Sequence, residues 1–258
     1  MFSIGLHFQH IAVLEAIKIY FGGCGVINVK NDRVDYIISG IKDIMTYVIP
    51  HFNLYPLCTQ KGADYILWSR IANIISCKEH LTDSGLFKCL QLAASINRGL
   101  SDTILTAFPG IIAAIRPIIT TTSINPYWLS GFAAGDGSFC VSLPRRAKQL
   151  LGFQVSPTFE LKQHIRDIVL IKLIQEFFNG SGSITINRDY IGYKIGALGH
   201  LNNLVIPHFT NYPLHSIKQL DFMDWSVIID MMNRKEHLTQ IGLDRIRNII
   251  AGMNQRRV

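Results

Sequence analysis

Two stretches of this chain recur almost unchanged at one constant distance. VIPHFNLYPL, beginning at Val48, returns as VIPHFTNYPL at Val205, and KEHLTDSGL at Lys78 returns as KEHLTQIGL at Lys235, both 157 residues on. The same spacing, without a gap, pairs Phe2 with Phe159, His7 with His164, Gly23 and Gly25 with Gly180 and Gly182, Tyr36 with Tyr193, Lys61 with Lys218, Trp68 with Trp225 and Asn97 with Asn254. A unit this long, present twice, is too large for a solenoid module and reads as a duplicated domain with a pseudo-twofold axis. Residues 99–124 have no counterpart at the end of the chain and contain Pro109, Pro117 and a Thr-Thr-Thr-Ser run, so they read as a linker. The expected organisation is therefore an N-terminal repeat over 1–98, a linker over 99–124 and a C-terminal repeat over 125–258. Carried backwards, the register places the counterparts of residues 125–157 before Met1, so the N-terminal repeat is expected to lack its first helix and strand.

Within the C-terminal repeat, Asn125 can cap a helix that Pro126 begins, and residues 127–135 are apolar or small nearly all round, which predicts a buried helix. From Ser138 the period changes to two. Phe139, Val141 and Leu143 alternate with Ser138, Cys140 and Ser142, and after a basic turn Phe153, Val155, Phe159 and Leu161 alternate with Gln154, Ser156, Thr158, Glu160 and Lys162. An amphipathic helix is expected over 166–178, Gly-punctuated strands over 183–187 and 190–196, and helices near 198–209, 218–233 and 240–254. The N-terminal repeat shows the same order from its second strand, with strands near 2–7, 26–30 and 34–39. The fold class is α+β, in which helices cover one face of each antiparallel sheet and leave the other free. That free face carries Gln154, Ser156, Thr158, Lys162, Thr185 and Asn187 in one copy and Asn28 and Lys30 in the other. Such donors and acceptors suit base edges in a major groove, although they equally suit an ordinary solvated surface.

Composition agrees with a polyanionic partner. There are 25 Lys and Arg against 18 Asp and Glu, a net charge of +7. Five widely spaced cysteines without a C-x-x-C pair indicate neither a disulfide framework nor a zinc site. No membrane association is expected, because the most apolar run, residues 104–119, is broken by Pro109 and carries Arg116.

The segment NPYWLSGFAAGDGSF over 125–139 resembles the signature of the LAGLIDADG homing endonucleases, with Leu129, Gly131, Phe132, Gly135, Asp136 and Gly137 at matching places. The resemblance extends along the whole chain and points to fungal mitochondrial, intron-encoded, two-repeat members. It implies two αββαββα repeats whose sheets form a DNA-binding saddle. Gly131, Ala133, Ala134 and Gly135 have little or no side chain, so this helix can pack closely against a second one and deliver an acid to the base of the saddle. By resemblance, Asp136 is that acid, Asp136 and the Gly135 carbonyl are ligands for Mg²⁺, and Gln163, Lys218 and Lys61 complete the catalytic set. Ser138, Cys140, Ser142, Arg145, Arg146, Lys148, Gln154, Ser156, Thr158, Glu160, Lys162, Thr185, Asn187, Arg188, Asn28 and Lys30 are the expected DNA contacts. The recurring histidines read as structural, since their pairing follows from duplication.

The resemblance implies site-specific, Mg²⁺-dependent double-strand cleavage of DNA at a long recognition site. The chain departs from the two-motif pattern, because the counterpart of Asp136 falls before Met1 and that of Gln163 is Leu6. Three explanations follow: an upstream in-frame portion, a decayed relic, or dimerisation through the 127–137 helix. A monomer is expected for the full-length form. The rival functions are an RNA maturase acting on its host intron and a catalytically dead DNA-binding relic. Met1 leads into FSIGLHF with no basic signal-peptide region, so a mitochondrial product is expected to be encoded and made in the organelle.

Overall fold

The computed structural model describes residues 1–254 and divides the chain into two compact units, Met1–Thr120 and Thr121–Val258. The first unit runs β1 (Phe2–His7), α1 (Ile11–Tyr20), β2 (Val26–Lys30), β3 (Arg33–Ile38), α2 (Ile41–Asp43), α3 (Ile49–Leu54), α4 (Lys61–Ser76), α5 (Asp83–Ala93) and α6 (Asp102–Ala107). The second runs α7 (Pro126–Asp136), β4 (Gly137–Ser142), β5 (Ser156–His164), α8 (Ile168–Phe177), β6 (Ser183–Asn187), β7 (Tyr190–Ile195), α9 (Leu198–His200), α10 (Ile206–Asn211), α11 (Lys218–Asn233) and α12 (Gln240–Ala251). Helices α1 and α8, strands β2 and β6, strands β3 and β7, and helices α4 and α11 share their bounds at the 157-residue spacing.

Both sheets are antiparallel, ordered β1-β3-β2 in the first unit and β4-β5-β7-β6 in the second. Period two decides their faces. Val34, Tyr36 and Ile38, and likewise Ile191, Tyr193 and Ile195, are almost fully buried under the helices, while the residues between them point the other way. In the first unit Leu14, Phe21, Ile44 and Val48 complete that core. In the second, the Phe139 ring lies 5.2 to 5.3 Å from those of Phe159, Phe209, Phe222 and Trp225. Trp225 is fully buried with its indole N–H on the Cys140 carbonyl.

The recurring words of the sequence are local structural devices. In KEHLT-x-x-GL, Lys78 and Lys235 take left-handed φ of 61° and 63°, the next three residues form a 3-10 turn, and Thr82 and Thr239 accept from the backbone N–H of Gly85 and Gly242 as helix caps. A Cβ on either glycine would collide with the carbonyl oxygen of Glu79 or Glu236, so only glycine fits. The paired His7 and His164 each accept from the N–H two residues on and cap a 3-10 turn.

The structure departs from the sequence expectations in three places. The helix expected over 198–209 is broken into α9 and α10 by a π-helical turn, Leu201–Val205, with its counterpart Ile44–Val48 in the first unit. Pro207 and Pro50 cause this, since proline lacks an N–H and its ring crowds the carbonyl one turn back. Helix α7 is buried on one side only: Leu129, Ser130 and Ala133 are enclosed, whereas Tyr127, Gly131 and Gly135 are exposed. Within the span expected as linker, residues 102–107 form α6, and a following segment is tied to the first unit. There the Arg116 guanidinium donates to Asp64 Oδ1 (2.5 Å) and to the Ser95 and Gln60 carbonyls.

Candidate active site

Helix α7 is shaped to place one carboxylate at the end of a strand. Asn125 Oδ1 accepts from the N–H groups of Tyr127 and Trp128, and Pro126 opens the first turn. Midway, Ser130 Oγ donates to the Tyr212 carbonyl (2.7 Å) and lies 3.3 Å from His208 Nε2, fastening the helix to α10. At the C-terminal end Asp136 is the last helical residue, and Gly137 begins β4 immediately. A Cβ at Gly137 would stand 2.6 Å from the Ala133 carbonyl oxygen, so the abrupt change from helix to strand requires glycine there. The opposite face is open, because a Cβ at Gly131 or Gly135 would meet nothing within 4 Å.

Three side chains converge at this junction. Gln163, near the end of β5, donates from Nε2 to Asp136 Oδ2 at 2.6 Å. Lys218, the first residue of α11, donates from Nζ to the carbonyls of Gly137 (2.5 Å), Ala133 (3.3 Å) and Gly135 (3.4 Å), satisfying carbonyls that a helix end leaves without intrahelical partners. Desolvation raises the Asp136 pKa above the ordinary carboxylate value, against the opposing pull of the Lys218 charge and the Gln163 hydrogen bond. Burial likewise lowers the Lys218 pKa, opposed by Asp136, Asp221 and Cys140.

Asp136, Gly135, Gln163 and Lys218 thus come together. Lys61 lies in the first unit, where its Nζ donates to Asn97 Oδ1 (2.7 Å) and pairs with Asp64 Oδ2 (3.4 Å). Among the expected nucleic-acid contacts, Ser138, Cys140, Ser142, Ser156, Glu160, Lys162, Thr185 and Asn187 share the uncovered face of the second sheet, and Asn28 and Lys30 that of the first. Arg145, Arg146, Lys148 and Gln154 belong to the excursion between β4 and β5, where Arg146 Nε donates to Gln154 Oε1 (3.3 Å). Arg188 sits at the β6–β7 turn with φ of 41°. Thr158 is a correction: it is 7% exposed and spends its hydroxyl on Glu160 Oε1, so it supports Glu160 and is not itself presented. Sequence reasoning passed over Lys194, which pairs with Glu160 at 3.0 Å, and Arg33, Asp35 and Tyr190 on the same uncovered faces. Their strands β3 and β7 alternate in period two, and that alternation was the available signal.

Similarity to known proteins follows the same geometry. The profile of the LAGLIDADG endonuclease family matches residues 1–72 and 129–229. Probable intron-encoded endonuclease 3 of Neurospora crassa is 35% identical over 251 residues, covering 95% of this chain and 46% of that protein. Probable intron-encoded endonuclease 2 of the same fungus is 31% identical over 259 residues, covering 95% and 56%. The chain therefore spans about half the length of these curated relatives. The crystal structure of the I-SmaMI LAGLIDADG homing endonuclease bound to cleaved DNA superposes with a TM-score of 0.95 at 35% identity, covering 99% of this chain and 86% of that one. With the signature helix, its terminal acid and two half-covered sheets all in place, the chain belongs to the LAGLIDADG endonuclease family.

Proposed function

We propose that this polypeptide is part of, or the whole of, a site-specific homing endonuclease that makes a Mg²⁺-dependent double-strand break in DNA. The observation that carries the reading is the placement of Asp136. It stands at the tip of a helix whose other face is open, touching Gln163 and adjoining Lys218, at the edge of an uncovered polar sheet face. The basic charge supplies sequence-independent attraction to phosphates, and the sheet faces supply donors and acceptors for base edges.

The donor set fits Mg²⁺. The Asp136 carboxylate and the Gly135 carbonyl are adjacent hard oxygens, and among the described residues no cluster of three His, Cys, Asp or Glu forms a closed protein cage. Mg²⁺ suits such a site because it keeps water and takes phosphate oxygens alongside one or two carboxylates. When bound, it would supply positive charge at the scissile phosphate and make the attacking water more acidic. Gln163 fixes the Asp136 carboxylate by one hydrogen bond, which leaves Oδ1 directed elsewhere. Lys218 holds the carbonyl-bearing end of α7 in place and brings a second positive charge beside the acid. A second acid, from another helix of this kind seated against the Gly131–Gly135 face, completes the family's paired arrangement. A gene inside an organellar, mitochondrial intron is supported by the intron-encoded relatives.

The test is cleavage of plasmids bearing the host locus with and without the intron, using the chain as it stands and the chain extended through its upstream in-frame codons. Cutting of the intron-lacking plasmid by either form is expected. If neither form cuts or binds that plasmid and both bind the intron transcript, an RNA maturase replaces this reading.

A further inference from the structure

The two units keep the same buried residues and differ on the uncovered sheet face. Beneath the helices, Phe2, Tyr36 and Ile38 match Phe159, Tyr193 and Ile195. On the other face, Ser3, Gly5, Asn28, Lys30, Arg33, Asp35 and Ile37 stand where the second unit has Glu160, Lys162, Thr185, Asn187, Tyr190, Gly192 and Lys194. Within the first of these faces one pair is built with unusual definition. Asp35 Oδ1 receives both Nε and Nη2 of Arg33, each at 2.8 Å. The carboxylate is mostly shielded, its side chain 21% exposed, whereas the arginine is 69% exposed. The neighbour of Asp35 on β1 is Gly5, and a Cβ there would strike both the Arg33 and Asp35 side chains, so the missing side chain makes room for the pair. Arg33 itself lies between His7 and Lys30 on the adjacent strands.

We propose that Arg33 reads one guanine in the major groove and that Asp35 is its positioning residue. The inference rests on the DNA-binding reading above. A guanidinium carries five N–H donors in a fixed planar fork. Asp35 occupies the Nε–H and one N–H of Nη2, which leaves the second N–H of Nη2 and the parallel N–H of Nη1 at the outer end of the fork, directed away from the carboxylate. Two parallel donors at that spacing match the N7 and O6 acceptors of guanine, and no other base offers two acceptors on its major-groove edge. An arginine already immobilised loses less rotamer freedom on binding than a free one, so the contact discriminates more sharply. The second unit has Tyr190 and Gly192 at the equivalent places, so this preference arises in one half of the recognition site only.

The experiment is enrichment from a randomised DNA duplex library in Ca²⁺, followed by sequencing, with the cleavage-competent protein as wild type, Arg33→Lys and Asp35→Asn. Wild type is expected to prefer G·C at one position by about 10- to 100-fold, as one bidentate contact does. Arg33→Lys should reduce that to about threefold or less at the same position, because a point charge replaces the fork. Asp35→Asn should reduce it partway, with the other positions unchanged in both variants. Persistence of the preference in Arg33→Lys, a loss spread evenly over the site, or the same preference at mirrored positions in both half-sites would each overturn the assignment. A wild type that enriches no sequence at all overturns the DNA-binding reading beneath it.

Discussion

Acid should loosen helix α7 from its own unit through a single histidine. His208 is 7% exposed and ringed by Phe177, Phe178, Phe209 and Tyr212 at centroid distances of 5.2, 5.7, 4.7 and 5.3 Å. Ser130 Oγ gives its proton to the Tyr212 carbonyl, so it can only accept from His208, which assigns the neutral Nε2–H tautomer. Burial lowers the His208 pKa from 6.5 to about 4. The native pKa is below the unfolded one, so the unfolded chain takes up the proton first on acidification. The stabilisation is complete above pH 6.5 and is lost as the pH falls from there to about 4. The linkage amounts to about 2 kcal/mol by pH 5 and about 3 kcal/mol by pH 4. His51, the counterpart in the first unit, is shifted in the same direction by burial and makes its hydrogen bond with Tyr20. The assay is urea unfolding at pH 7.5 and pH 5.0 for wild type and His208→Phe, followed by far-UV circular dichroism and by the combined fluorescence of Trp68, Trp128 and Trp225. The phenylalanine variant loses the Ser130 contact and should be weaker at pH 7.5, yet its stability should fall by about 2 kcal/mol less between the two pH values. Equal pH dependence in the two proteins would refute the buried neutral histidine.

Other substitutions probe the remaining devices. Gly242→Ala should cost about 1–3 kcal/mol in urea unfolding, because the added methyl group overlaps the Glu236 carbonyl oxygen at a fixed turn. Gly131→Ala, whose methyl group enters open space in a helix interior, should stabilise the isolated chain by about 0.5–1 kcal/mol, while cleavage by the competent protein should drop as the approach of a second helix is blocked. Lys218→Met removes the donor from three carbonyls at the end of α7. It should lower stability by about 1 kcal/mol in thermal melts and slow single-turnover cleavage without weakening DNA binding.

Much of the architecture could be read from the chain because duplication samples each local solution twice. Agreement between Tyr36 and Tyr193, whose hydroxyls donate to the Cys24 and Ser181 carbonyls, marks buried positions that one copy alone would leave ambiguous. Period-two alternation then separated Glu160 and Lys162 from Phe159 and Leu161. It did not show that Thr158 would be roofed over, since that depends on how β5 is covered by its neighbours. The clustering of Asp136 with Lys218 spans 82 residues of chain and came from family resemblance, not from any local pattern. The π-helical turns were likewise illegible as a period, although Pro50 and Pro207 are their physical cause. Arg33 and Asp35 were visible as an i, i+2 pair on one strand face, but the Gly5 vacancy that accommodates them becomes meaningful only once β1 is paired with β3.

The most direct test of the account separates binding from cutting at one atom. The cleavage-competent protein and its Asp136→Asn variant would be compared on the intron-lacking plasmid in Mg²⁺, with affinity measured in parallel on the same DNA in Ca²⁺. The account predicts linear product from wild type, intact plasmid from the variant and unchanged affinity for both, since asparagine preserves the Gln163 neighbour but not the charge. Linear product formed by Asp136→Asn at the wild-type rate would contradict the assignment of this carboxylate as the cleavage acid.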